Sequence, residues 1–400
     1  MLRPIFGKIP LSFALLPLRA KFNAFPPSSH EDLMLAKLAI GIATVSLLTL
    51  AQSTALLAQT TPRESLLVLS KQDHTVAIVD PTTLKVLARI PVGNDPHEVI
   101  ASSDGNTAYV SNYGGGAYNT LTAVDVALQT PLNTIDLGPL RGPHGIDFVG
   151  GKVWFTAEAA KAIGSYDPAS SKVDWILGTG QNRTHMIYVA PDLKRIVTTN
   201  VSSGTVSIIE SSGTRSPNAA ANAVPSGAPG RPENSEQQAI SSAPPPGPPR
   251  EDWNETVVKV GNGSEGFDVS PDRKEIWVAN AQDGTISVID AAQKSVTQTL
   301  NANVRGANRL KFTPDGKLVL VSALRGQDVV VLDAATGKEI KRIPVGHGAA
   351  GIQMQPDGSR AFVACTPDNY VVAIDLKSLQ ITARIDAGRE PDGMAWAGHR

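Results

Sequence analysis

A segment of about 42 residues recurs seven times along this chain, and a period of that size restricts the fold more than any other feature. The recurring landmark reads Pro96-His-Glu-Val99, Pro143-His-Gly-Ile146, Thr184-His-Met-Ile187, Ser264-Glu-Gly-Phe267, Ala307-Asn-Arg-Leu310, Ala349-Ala-Gly-Ile352 and Pro391-Asp-Gly-Met394. Its second residues, at 97, 144, 185, 265, 308, 350 and 392, are separated by 47, 41, 80, 43, 42 and 42. The 80 is one repeat plus an insert. Units of this kind cannot bury their apolar faces alone and must stack on their neighbours.

Each unit reads as β throughout. In one of them Glu265-Gly-Phe-Asp-Val-Ser270 stops at Pro271-Asp272, Lys274-Glu-Ile-Trp-Val-Ala-Asn280 is a short apolar run, Gly284-Thr-Ile-Ser-Val-Ile-Asp290 alternates with period two, and Lys294-Ser-Val-Thr-Gln-Thr-Leu300 follows a polar turn. β-branched residues dominate, and Gly, Pro, Asp and Asn mark the breaks. Four short strands per repeat predict an all-β, seven-bladed β-propeller with four-stranded blades over residues 65–400. The acids Asp80, Asp125, Asp167, Glu210, Asp290, Asp333 and Asp375 keep the same beat and are expected to close the turn between third and fourth strands. The first repeat opens at Ser65 without an innermost strand, whereas the chain ends on Pro391-Asp-Gly-Met-Ala-Trp-Ala397, an innermost strand with no blade after it. Joining the two completes the first blade and leaves no open sheet edge.

Length alone would suggest two or three domains, but the repeat overrides that prior. Residues 34–58 read as a secretory signal: Met34-Leu-Ala-Lys37 is the charged start, Leu38 to Leu50 the apolar run, and Ser53-Thr-Ala55 the small residues for cleavage. The apolar run is too short to span a bilayer. Residues 1–33 are then an upstream extension, with Met34 as the start. The expected location is periplasmic or extracellular, with no membrane span after cleavage. Cys365 is the single cysteine, so no disulfide framework accompanies export. Residues 1–58 hold five basic and two acidic side chains, leaving 31 against 35, a net charge of −4, for the remainder. With no Lys/Arg-rich block, a nucleic-acid partner is not expected. Residues 211–252 are rich in Ser, Pro, Ala and Gly, include Pro244-Pro-Pro-Gly-Pro-Pro249, and predict a disordered insert between the third and fourth strands of one blade.

Tyr109-Val-Ser-Asn112, Ile276-Trp-Val-Ala-Asn280, Val269-Ser-Pro-Asp272 and Phe312-Thr-Pro-Asp-Gly-Lys317 resemble the YVTN-repeat β-propeller family of exported bacterial proteins. The resemblance runs from about residue 65 to 400, the insert apart, and implies architecture rather than activity. The wider seven-bladed group includes surface-layer proteins, lactone-hydrolysing enzymes, streptogramin lyases and quinoprotein or haem-carrying electron-transfer chains. On such a fold only the site can decide the chemistry.

His97, His144, His185 and His347 all lie in connections that enter an innermost strand, and His74 follows a second strand whose turn faces the same way. His97, His144 and His185 share one position in three consecutive blades, at the mouth of the central channel. The next blade offers Glu265 and the preceding blade Asp392. Three imidazoles beside a carboxylate suit a first-row transition metal, Zn, Cu or Fe. Glu158 would serve as an orienter of a ligand or as a general base, the one catalytic candidate. Asn112, Tyr113 and Asn200, in equivalent turns, would bind a ligand by hydrogen bonds, with Glu265 and Asp392 beside them. No phosphate-binding Gly-rich loop, Gly-x-Ser-x-Gly elbow or Cys-x-x-Cys-His haem site occurs. Two readings follow: a binding protein that takes a small molecule or a protein through a His-lined mouth, or a metal-dependent lyase, lactone hydrolase or oxidoreductase.

The order of charged start, apolar run and small residues predicts a mature chain beginning between Gln52 and Thr60. N-terminal sequencing of protein from the native envelope fractions checks this, and an intact leader on cytoplasmic protein would refute it.

Overall fold

The computed structural model describes residues 61–215 and 250–398. The expected upstream extension at 1–33, the expected signal at 34–58 and residues 216–249 of the insert lie outside the described residues. Seven four-stranded antiparallel sheets form the blades, with strands in chain order from the channel outward. The innermost strands are Pro96–Ala101, Pro143–Val149, Thr184–Val189, Ser264–Val269, Ala307–Phe312, Ala349–Met354 and, for the first blade, Pro391–Gly398. That last strand pairs with Glu64–Ser70, Glu64 opposite Gly398 and Val68 opposite Met394, so the chain end completes the first blade as expected.

Seven clusters of buried apolar residues fill the seven interfaces between blades. Period-two strands make this possible: Leu67 and Leu69 face the second blade, while Leu66 and Val68 face the seventh. Cys365 belongs to one such cluster, and burial pushes its thiol pKa up to about 12, consistent with an inert filler.

Six of the acids expected to close outer turns do so. Asp80 accepts from Thr82 and Thr83, Asp290 from Ala292 and Gln293, and Asp375 from Ser378. Asp125, Asp167 and Asp333 act alike. Glu210 departs from the pattern and pairs with Arg195 and Lys294 instead. In its blade the third and fourth strands run on as Thr205–Arg215 and Arg250–Lys259, paired from Ser211 opposite Trp253 to Arg215 opposite Arg250. The two ends of the 211–252 stretch are therefore part of the ladder. Trp253 meets Trp175 of the preceding blade with ring centroids 5.4 Å apart.

The innermost strands share a bulge just after their first paired residue. Pro96 lies opposite Asn112 but Val99 opposite Val110, and the same slip follows Pro143, Thr184, Ser264, Ala307 and Ala349. A bulge frees residues from pairing and re-aims their side chains. Here the freed pairs are His97-Glu98, His144-Gly145, His185-Met186, Glu265-Gly266, Asn308-Arg309 and Ala350-Gly351. The backbone before each bulge, one residue ahead of the repeat's landmark, is left-handed in every blade: Asp95, Gly142, Arg183, Gly263, Gly306, Gly348 and Glu390 have φ between 49° and 70°. Glycine adopts this freely, whereas an L-residue with a Cβ pays roughly 1–2 kcal/mol.

Second-strand hydroxyls lock the bulges across the blade interfaces. Thr156 Oγ1 accepts the freed Gly145 N–H (2.9 Å) and donates to the His185 carbonyl of the next blade (2.7 Å). Thr199 and Ser322 repeat this with Met186 and Glu265, and with Arg309 and Ala350. Thr198, its neighbour in the strand, is equally buried, but its hydroxyl has no partner. Thr156→Val should therefore cost about 2–4 kcal/mol, from two buried groups left unsatisfied, while Thr198→Val is neutral or stabilising. Urea unfolding of the two variants tests the contrast.

Candidate metal centre at the channel mouth

The bulges bring His97, His144 and His185 into one cluster, as their shared repeat position predicts. His144 and His185 are each only 2% exposed, and their rings lie 3.8 Å apart between centroids. His97 tilts against His144 at 4.8 Å. Tyr113 covers both, with its ring 4.7 Å from His97 and 5.2 Å from His144. Asp392 Oδ2 approaches His97 Nδ1 at 3.8 Å, and Glu265 Oε2 stands 2.8 Å from His185 Nε2.

Hydrogen bonds assign the protons on the rings. His97 Nε2–H donates to Asp95 Oδ1 at 3.1 Å, leaving His97 Nδ1 to accept from His144 Nε2–H, also at 3.1 Å. His144 Nδ1 is then a bare nitrogen, buried and without a partner. His185 Nδ1–H donates to Glu158 Oε1 at 2.5 Å, and the Tyr113 hydroxyl donates to Glu158 Oε2 at 2.6 Å. His185 Nε2, although close to Glu265, is not aligned for a hydrogen bond with it and has no other partner. Each buried histidine thus has one nitrogen in a hydrogen bond and one in none: His144 Nδ1 stands alone, and His185 Nε2 has only the ion-pair contact with Glu265.

Charge follows the same division. Burial, reinforced by His185 and His97, holds the His144 pKa well below its ordinary value, so the ring is neutral. Burial would also lower His185, but Glu265 and Glu158 outweigh it and raise the pKa. Burial alone would raise the carboxyl groups. Glu265 is instead lowered to about 2 by His185 and Arg183, and Glu158 is lowered by His185, Tyr113 and Arg183. Asp392 is lowered against burial by Lys71, His97 and Arg309.

His144, Glu158 and His185 each place one donor atom within 4.8 Å of the others and could together hold a metal ion. Proximity alone does not rank the three, and the hydrogen bonds put Glu158 on the far side of His185 from the idle nitrogen. Asn112 and Asn200, expected to meet a ligand, are committed within their own blades. Asn112 Nδ2 donates to Thr120 and Thr122 and its Oδ1 accepts from Gly93, while Asn200 Nδ2 donates to Thr205 and Ser207. His347 is exposed and pairs with Asp368 and Gln327, and His74 is exposed in a left-handed turn.

Five charged residues escaped the sequence reading, Asp95 beside His97 among them. Lys71 pairs with Asp392 at 3.1 Å. Arg183 reaches Glu158 and Glu265, each at 3.4 Å. Beneath the histidines, Arg309 crosses the channel to form a buried ion pair with Glu98, two blades linked through their bulges. This pair also lines a cavity of about 290 Å³, whose Ile146, Ile187, Phe267 and Lys311 come from further along the innermost strands. The one available signal was position: Glu98 and Arg309 stand where four other blades carry Gly145, Gly266, Gly351 and Gly393.

The YNCE-like beta-propeller family matches over residues 247–360. With the seven blades, this makes the chain a seven-bladed β-propeller that is similar to the YNCE-like family over those residues. No curated protein matches its sequence. Among solved structures, a functionally unknown protein from Desulfotomaculum acetoxidans is 14% identical with a TM-score of 0.62, covering 83% of this chain and 98% of its own. A candidate 6-phosphogluconolactonase from Bacteroides uniformis is 14% identical with a TM-score of 0.63, over 84% of this chain and 99% of its own. The hydrazine synthase of Kuenenia stuttgartiensis is 16% identical with a TM-score of 0.55, over 76% and 91%. At these identities the likeness is one of fold. Among the described residues no helix is long and apolar enough to cross a membrane.

Arg309→Ala should be strongly destabilising, by about 3–5 kcal/mol, because it leaves Glu98 buried and unpaired. Removing both charges, with Glu98→Leu and Arg309→Met, should restore most of that loss. Chemical denaturation of the single and double variants measures the coupling.

Proposed function

We propose that this protein is an exported metal-binding propeller, whose channel mouth holds one divalent first-row transition ion such as Zn, Cu or Fe. The observation behind this reading is the pair of idle nitrogens, His144 Nδ1 and His185 Nε2, on buried rings whose other nitrogens are engaged. Metal-bound histidines characteristically donate their second N–H to a carboxylate or another acceptor, which sets the tautomer. His144 does so to His97, and His185 to Glu158. The ligands in this reading are His144, His185 and the Glu265 carboxylate. His97, expected as a third imidazole ligand, becomes the group that holds His144.

Charge supports a divalent ion. Asp95, Glu98, Glu158, Glu265 and Asp392 face Lys71, Arg183 and Arg309, so the centre is two negative charges in excess with both buried rings neutral, as a bound metal requires, and one in excess when His185 holds the proton that Glu265 and Glu158 favour. Uncompensated buried charge is costly, and a divalent cation cancels it. Binding rather than catalysis is favoured because both Glu158 oxygens are engaged and its lowered pKa makes it a weak base. Half-exposed Arg183 and the rim around His97 remain as the approach for a small-molecule or protein ligand.

Untagged protein should bind one equivalent of ion in calorimetry, and saturation at a hundredfold excess over Kd should stabilise it by about 2.7 kcal/mol. His144→Ala and His185→Ala should abolish both effects, and His97→Ala should weaken affinity about 10–100-fold. Affinity should fall as pH drops, because protons compete for the imidazole nitrogens. Metal-free protein whose melting ignores Zn, Cu and Fe would overturn the reading and leave a polar ligand pocket.

A further inference from the structure

The seven left-handed residues ahead of the bulges are a natural control set, since every blade needs the same backbone there. Four blades meet the need with Gly142, Gly263, Gly306 and Gly348. The other three hold Asp95, Arg183 and Glu390 at φ 49°, 58° and 52°, conformations that disfavour a side chain. Such an outlier prompts the question of what its side chain does.

Two of the three end a line of hydrogen bonds or ion pairs that leads to one of the two unbonded nitrogens. Asp95 accepts from His97, and His97 accepts from His144, so Asp95 sets which nitrogen of His144 is free. Arg183 places its guanidinium between Glu158 and Glu265, one carboxylate on each side of His185. Its side chain is 39% exposed, so it caps the centre from the solvent side. Glu390 has no such connection: its backbone N–H bonds Asn369 and its carbonyl accepts from Lys71, contacts that any residue could make.

We infer that Asp95 and Arg183 are positioning residues of the channel-mouth centre, retained against backbone strain to set the tautomer of His97 and His144 and the placement of Glu158 and Glu265. The inference rests on the metal-binding reading for its function, but the positioning itself is a property of the metal-free protein. Neither residue touches the ion in this assignment.

The test substitutes the residue that four blades already use. Asp95→Gly and Arg183→Gly should each weaken Zn affinity at least tenfold, whereas Glu390→Gly should leave it unchanged. Arg183→Gly and Glu390→Gly should keep or raise the melting temperature of metal-free protein. Asp95→Asn, which tolerates the left-handed backbone and keeps an acceptor for His97, should recover most of the affinity lost in Asp95→Gly. Imidazole ¹⁵N spectra of metal-free protein give a second readout. Asp95→Gly should change the His97 tautomer signal and Arg183→Gly the His185 signal, with Glu390→Gly matching the parent. Equal effects in all three glycine variants, or unchanged ring signals in the first two, would overturn the inference. Failure of the parent to bind any ion while the ring signals respond as expected would overturn the metal reading alone.

Discussion

The closeness of neighbouring innermost strands governs the rest of this molecule. A Cβ added at Gly145 would lie 2.4 Å from the His185 carbonyl oxygen, and one at Gly351 2.1 Å from that of Asp392. At that separation the bulge amide and the next blade's carbonyl can both be reached by one hydroxyl, which Thr156, Thr199 and Ser322 supply. Backbones held this close leave a channel only a few side chains wide. Any polar residues projecting from the bulges must then solve one another's desolvation, because water cannot do it for them.

The channel mouth is the outcome of that requirement. Residues from the second, third, fourth and fifth blades meet as Asp95–His97–His144 and as Tyr113–Glu158–His185–Glu265, while Lys71 and Asp392 come from the first. Within these two lines nearly every polar atom has a partner. The exceptions are two nitrogens on adjacent buried rings, in an otherwise satisfied network, and buried polar groups left this way demand an explanation. The proposed cation would answer both at once and offset the excess negative charge.

Architecture was legible because it repeats: seven landmarks, alternating strands and an orphan final strand specify the blades and their closure without any single residue being decisive. The grouping of His97, His144, His185, Glu265 and Asp392 was legible for the same reason, since equal repeat positions become neighbours around a ring. What could not be read were the roles inside the group. Asn112 and Asn200 sit in the same turns as functional residues, but whether an amide faces a ligand or the Thr and Ser of its own third strand depends on side-chain direction, which periodicity does not carry. His97 was indistinguishable from His144 until the acceptor Asp95 was seen beside it. Arg309 and Glu98, separated by 211 residues, form a pair that only the closed ring creates.

Ring closure by the final strand has a temporal consequence. Glu64–Ser70 has no inner partner until Pro391–Gly398 has been synthesised, which at about 5–20 residues per second means an open edge for tens of seconds. Asp392 arrives on that same strand, and with it the contacts to Lys71 and His97. The channel mouth therefore acquires its full set of charges only as the ring shuts, and an unfinished or wrongly closed chain presents a different electrostatic face from a finished one.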